Sequence, residues 1–569
     1  MSIPADPPPR SPRRKPARRR PLRPEVERLE NLQLLATFAV TSVANAGSGT
    51  LRQAILDANL STAADLIVFN IPGAGPHTIR PSSPLPDIGG PVTIDGYTQS
   101  GSSPNTLAIG NDAVLRIELD GTVSGARGDI GLDILGGGSL VRGLVIRGFG
   151  NHGIRLASDD NVVEGNFIGT DITGTLARGN GGDGVSVVAG AERNRIGTNG
   201  DGVADPAERN VISANGFQGV AIFDTGTDNN VVAGNYIGTD KNGAAPLGNG
   251  IYGVAVGFGR GGAGPMFNRI GSNGDGVADT AERNVISANR GSGVAFFDAG
   301  AGRNTVAGNN IGTDAAGTAR LGNVGAGVFI ASASNTIGGT TAGARNIISG
   351  NGGNGISIAG AGATGNRVQG NFIGTDVTGR LDLGNARDGV AVREGASDNL
   401  IGGTTAGAGN LVSGNDLSGV TFLRTAAAGN QVQGNLIGTD VAGAGPLGNG
   451  AAGVFVETSR NLIGGSTVAA RNVISANGAG IFVIGTAATN NVIQANFIGT
   501  DVMGTRALPN GDGIDLTEGA SSNLIGTDGN GIADDAERNV ISGNNRGVYI
   551  VNPGTERNVV AGNYMALPF

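Results

Sequence analysis

The chain contains no cysteine, which leaves carboxylates, hydroxyls, amides, Lys and Arg, and two histidines for any chemistry. Without a thiolate there is no disulfide framework, no cysteine nucleophile and no thiolate metal site. Three groups of residues have suitable types and spacing. The first is a set of acidic loops, GTNGDGVADPAERN at 197–210, GSNGDGVADTAERN at 271–284 and GTDGNGIADDAERN at 526–539. Set against a calcium loop of the twelve-residue type, they supply oxygen ligands at the third, fifth, ninth and twelfth positions and glycine at the sixth. The ligands are Asn199, Asp201, Asp205 and Glu208, then Asn273, Asp275, Asp279 and Glu282, then Asp528, Asn530, Asp534 and Glu537. Gly197, Gly271 and Gly526 stand first, where such a loop requires Asp. The competing reading is a solvated loop with local Glu–Arg pairing. The sister loops GGTTAGARN (338–346) and GGSTVAARN (464–472) omit the acids, so no cofactor is required, and calcium is the one the spacing admits.

The second group is a ladder. The phrase Asn, any residue, Ile, Gly, Thr, Asp returns six times and ends at Asp171, Asp240, Asp314, Asp376, Asp440 and Asp501. Six carboxylates and six hydroxyls along one edge can bind a polymer or cations. They can equally bond to the amides of their own turns. The third group is GFGNHGIRLASDDN at 148–161, where His152, Arg155, Asp159 and Asp160 form a loose acid and base grouping that a polysaccharide lyase or hydrolase can use. An ordinary corner loop has the same composition. With no Trp and five Tyr, the sequence offers few of the aromatic platforms on which sugar-processing grooves generally rely.

The elements that must position these groups follow from repetition. Glycine supplies 105 of 569 residues while aromatics fall to 4%, so the core is built from small aliphatic side chains. Gly followed by an apolar, any, apolar triplet starts at Gly131, Gly153, Gly184, Gly219, Gly253, Gly293, Gly327, Gly355, Gly389, Gly419, Gly453, Gly480, Gly513 and Gly547. A phrase recurring at this spacing marks a repeat architecture. The shortest interval, 131–153, holds three strand-like pieces and no room for a helix, which is one turn of a parallel β-coil. Longer intervals place their extra residues alternately after the first and the second strand, so two coil types alternate. Stacking at about 4.8 Å makes fourteen rungs roughly 60 Å long. Alternate apolar residues should form inward ladders. Asn194, Asn230, Asn304, Asn335, Asn366, Asn399, Asn430 and Asn461, which open strands, should bond to corner backbone and to the Asn stacked above.

These rungs, as in NRVQGNFI followed by GVAV, resemble right-handed parallel β-helix repeats of the pectate-lyase-like class, close to NosD-type coils. The segment GTLRQAILDAN with the residues after it is similar to the N-terminal capping region of large bacterial surface proteins that carry such coils. The resemblance spans about 38–569 and implies an all-β fold, a right-handed parallel β-helix of about 14 or more coils with an N-terminal capping helix. The fold hosts lyases, hydrolases, epimerases, adhesins and passive scaffolds, so it implies no single activity. RLENLQLLA at 28–36 resembles a short planctomycete-type Leu-Glu-Pro-Arg-x-Leu-Leu leader through Leu29, Glu30, Leu34 and Leu35, with Asn31 and Leu32 in place of Pro and Arg.

The expected organisation is a disordered basic leader over 1–37, a cap and first coils over 38–130, and regular repeats over 131–569 that end without an evident cap. A chain end of that kind invites end-to-end self-association. In the cap, Ser48 or Thr50 should start a helix whose apolar stripe is Leu51, Ala54, Ile55, Leu56 and Ala58. LQLLATFAV (32–40) followed by Ala44-Asn45-Ala46 looks like a signal and cleavage site, but Glu25, Glu27 and Glu30 stand where positive charge belongs. Residues 1–28 hold nine Lys or Arg against three acids, leaving −14 for the remainder of a chain whose net charge is −8. That excludes nucleic acid as a partner of the body, although the Arg-rich tail has the charge for it. No apolar run reaches the length of a transmembrane helix. The expectation is a non-catalytic secreted or cell-surface scaffold or adhesin that binds carbohydrate or another surface component. The alternative is a carbohydrate-active enzyme, a polysaccharide lyase or glycoside hydrolase.

Overall fold

In the triplet strands of the third sheet two residues point inward and one outward, while the typical strand of the other two sheets sends one aliphatic residue into the same core. The computed structural model describes residues 35–124, 128–257, 263–423 and 427–566. The basic leader and most of the 28–36 leader-like stretch lie outside the described residues. One rung contributes Arg367–Gln369, Phe372–Ile373 and Val390–Arg393. The next contributes Leu400–Gly402, Leu411–Val412 and Val420–Leu423, each parallel to its counterpart. Repetition yields three parallel sheets of 17, 16 and 14 strands. The fourteen strands of the third sheet follow the fourteen Gly phrases. A crossover between parallel strands of one sheet is right-handed, and the molecule is a right-handed parallel β-helix.

The interior is a single apolar column of Val, Ile and Leu running from Val40 to Ile541. Asparagine closes the corners, in three ladders rather than the one expected. One runs through Asn161, Asn194, Asn230 and Asn268, with each amide N–H donating to the next side-chain Oδ1 at 2.8–2.9 Å. A second passes through Asn166, Asn210, Asn235 and Asn284. A third passes through Asn180, Asn215, Asn249 and Asn289. The corner is where backbone groups leave the sheet ladder, and each buried Asn side chain satisfies them. Gly374 sits in the left-handed region at φ +92°, and a Cβ there would lie 2.2 Å from the Ser413 carbonyl oxygen.

At the N-terminal end the helix Leu51–Ala58 is capped by Thr50, whose Oγ1 accepts from the Gln53 amide at 3.3 Å. Leu51, Ala54, Ile55 and Ala58 are buried as expected, but Leu56 is 44% exposed and lies off the stripe. The signal-like run ends in the strand Thr37–Val40, paired in register with Asp65–Phe69, with Val40 fully buried. Cleavage after Ala46 would remove the first strand of the first sheet.

Candidate functional site

The six Asp of the ladder serve their own turns. In every copy Oδ1 accepts the amides four and five residues on, at 2.8–3.2 Å: Thr175 and Leu176 for Asp171, Ala244 and Ala245 for Asp240, Thr318 and Ala319 for Asp314. Asp376, Asp440 and Asp501 repeat the pattern. Burial works against ionisation of Asp171, Asp376, Asp440 and Asp501, yet the turn amides hold these carboxyls below the usual range. Consecutive turns also stack on one another two rungs apart, through Lys241 N–H to Gly174 O, Ala315 N–H to Gly243 O and Val377 N–H to Gly317 O at 2.9 Å. The phrase therefore builds an outboard column of turns.

The three acidic loops, equivalent in sequence, differ in charge. In the first two, a loop Glu caps the loop and pairs with an Arg of the preceding strand: Glu208 with Arg195 at 3.4 Å and Glu282 with Arg269 at 2.9 Å. The hydroxyls of Thr198 and Ser272 donate to Asp205 and Asp279 at 3.0 and 2.7 Å. In the third, Leu524 occupies the arginine's place and Asp528 replaces the Asn. Asp528, Asp534 and Glu537 bring carboxylate oxygens within 4.8 Å of one another, and Asp534 Oδ1 accepts no hydrogen bond. The expected pairing inside the loop is corrected in the first copy: Arg209 does not pair with Glu208 but stacks over the Tyr236 ring at 4.6 Å. Arg345 over Phe372 at 4.3 Å and Arg471 over Phe497 at 4.0 Å repeat that contact.

The grouping around His152 separates. Arg155 pairs with Asp133 at 2.6 Å. Asp159 and Asp160 turn to Arg193 at 3.1 and 2.9 Å. His152 faces a residue the sequence reading did not consider, Asp183 of the next rung, with Nδ1 3.1 Å from its Oδ2.

The outward face of the third sheet is where the repeat stops dictating side chains. Inward positions are aliphatic except for Phe296 and Phe422, whereas outward positions vary from rung to rung and come into line only through register. Tyr252, Phe297 and Phe329 form one aromatic platform, with ring centroids 5.1 and 5.6 Å apart. Phe455 and Phe482 form a second, stacked at 5.6 Å and 25°. Between them the register passes through the small residues Ser357, Ala391 and Thr421. Beyond Phe482 the same column continues to Asp515 and then Tyr549. Burial, and next the adjacent Asp512 carboxylate, push Asp515 up to about 6. Asp512 is held low by Arg546, which donates to it from Nε at 2.7 Å and lies over the Tyr549 ring. Burial likewise raises Asp388, in the corner before the Val390–Arg393 strand. The sequence signal for Phe329, Phe455 and Phe482 was the middle residue of the Gly triplets, the position left as "any", whereas Tyr252 precedes its Gly and Phe297 follows its triplet.

No family model matches the chain, and no curated protein matches it. Among solved structures, the chain is similar to the A-module of mannuronan C-5 epimerase AlgE4 from Azotobacter vinelandii, at 13% identity over 92% of this chain and 100% of that one, with a TM-score of 0.31. It is similar to the Dettilon tailspike protein at 14% identity over 90% of this chain and 66% of that one, TM-score 0.32. A third likeness is to alginate lyase AlyF-OU02, solved with G6, at 12% identity over 86% and 85%, TM-score 0.30. The fold assignment rests on the strand register itself.

Proposed function

We propose that the outward face of the third sheet binds a polysaccharide lengthwise, and that the chain is a non-catalytic scaffold or adhesin, secreted or displayed at a cell surface. The reading is carried by the two aromatic platforms, anchored by Phe329, Phe455 and Phe482 in one register column of a face whose residues are small between them. A sugar ring has an apolar CH face that stacks on an aromatic ring, and a hydroxylated edge that pairs with polar groups beside it. The separation of His152, which faces Asp183, from Asp159 and Asp160, which share Arg193, supports binding without cleavage. The remainder's charge of −14 favours a neutral polymer over a polyanion.

The enzyme reading keeps one specific support. Asp512 and Asp515 are adjacent carboxyls whose environments push them apart, one ionised and one protonated near pH 6, as an acid and base pair requires. Incubating the protein with a panel of neutral and acidic polysaccharides, while following retention and new chain ends together, separates the two. The expected result is retention of a neutral polymer without new ends, weakened roughly tenfold or more in Phe329→Ala and Phe482→Ala, since burying one aromatic side chain contributes about 1.5–3 kcal/mol. New ends that disappear in Asp515→Asn would establish the enzyme. Undiminished retention in both Phe variants would remove the third sheet as the binding face.

A further inference from the structure

At the N-terminal end of the same face lies a cavity of about 460 Å³, lined by His152, Asp183, Ser186, Phe217, Gln218 and Phe223 among others. It is within the size range of small-ligand sites. Its polar groups come from three successive rungs. The Asp183 amide donates to His152 Nδ1 at 3.2 Å, and Asp183 Oδ2 lies 3.1 Å from the same nitrogen. Nδ1 accepts from that amide or donates to that carboxylate, one at a time, and either way Nε2 is left as the imidazole's other polar atom. Asp183 Oδ1 accepts from the Gln218 amide at 3.2 Å, which ties the third polar residue to the pair. Gln218 is 6% exposed, and its Oε1 accepts no hydrogen bond. A buried carboxamide oxygen without a donor is costly to maintain unless something else supplies the donor. Across from these groups, Phe217 is 51% exposed, a large apolar ring held at the surface beside a polar floor. Ile251, also lining the cavity, is the chain neighbour of Tyr252 in the first aromatic platform.

We infer that this cavity is a subsite for one neutral pyranose ring, whose apolar face packs on Phe217 and Phe223 and whose hydroxyls bond to Gln218 and His152. The inference deepens the polysaccharide-binding reading and rests on it for the class of ligand. The subsite would fix the register of a glycan that then runs over Tyr252, Phe297 and Phe329. No covalent step is involved.

The chain has two histidines, His77 and His152, which makes the test direct. Protein labelled with ¹³C at histidine is titrated with methyl pyranosides of glucose, mannose and galactose, and the ring signals are assigned with His152→Gln. The expected result is that at least one glycoside shifts the His152 signals saturably while those of His77, on the second sheet, stay still. Gln218→Ala should weaken that titration at least tenfold with the His152 signals of the free protein still present, which shows the fold retained. Retention of a polysaccharide by the wild type with no movement of His152, for the methyl glycosides or for the retained polymer, would overturn the subsite and leave the groove standing. Movement of both histidines alike would also overturn it, as a non-specific solvent effect. Absence of polymer retention together with a saturable His152 shift would overturn the groove and leave the subsite.

Discussion

At the scale of single residues, the molecule separates asparagine and aspartate by what surrounds them. Corner Asn side chains are saturated by the rungs on either side, and turn Asp side chains by amides four and five residues on. Asp515 is neither: it is 7% exposed, its Oδ1 has no donor, and a neighbouring carboxylate opposes its ionisation. Its carboxyl titrates at about 6 in the fold against 3.8 ordinarily. Because the folded value is raised, the stability contributed by its protonated form is complete below 3.8 and is lost as pH rises through about 6. Asp515→Asn, which cannot ionise, should be more stable than the wild type at pH 8 and gain less at pH 5, as read from denaturant midpoints at both. An equal gain at the two pH values would mean that burial, rather than ionisation, sets the effect.

At the scale of elements, the coil was legible in the sequence and the aromatic face proposed to bind was not. The interior and the corners impose the same demand on every rung, so Gly, Asn and the aliphatic triplets recur and can be counted. Outward positions face no such demand, and Phe329 meets Phe297 only after the strands are in register. The scarcity of Trp and Tyr pointed away from sugar platforms for the same reason: the phenylalanines that build them are separated by a whole coil. Loops were legible as a class but not as individuals. Leu524 sits on the strand before its loop, so the loss of the arginine partner shows only when strand and loop are placed together. Calcium should therefore distinguish the loops. Titration should perturb the backbone signals of 526–539 and leave 197–210 and 271–284 unchanged, where Arg195 and Arg269 already neutralise the glutamates. Asp534→Asn should abolish the response. Equal perturbation of all three loops would show that the arginines do not exclude the ion.

At the scale of the whole molecule, function reduces to distance along the axis. Phe329 and Phe455 are four rungs apart, about 19 Å at the strand spacing of a sheet. An oligosaccharide shorter than that touches one platform, and a longer one touches both, with the second contact made at high effective concentration. Affinity measured against a length series should rise in a step near 19 Å, and either Phe329→Ala or Phe482→Ala should flatten the step. A smooth increase with length would argue against two separate platforms.

The three asparagine ladders have one further property. Between asparagines the side-chain amide donates toward the following rung, as Asn161 does to Asn194 and Asn166 to Asn210, while the same nitrogen also donates back to a backbone carbonyl of the preceding rung, as Asn166 does to Val141 and Asn210 to Val163. Aligned amides sum their dipoles, as they do along a helix. In three such columns the asparagine-to-asparagine bonds all run the same way along the β-helix, so it has an electrical direction, with the side-chain oxygens facing the preceding rung. Turned end for end, it would not present the same field to whatever lies beside it.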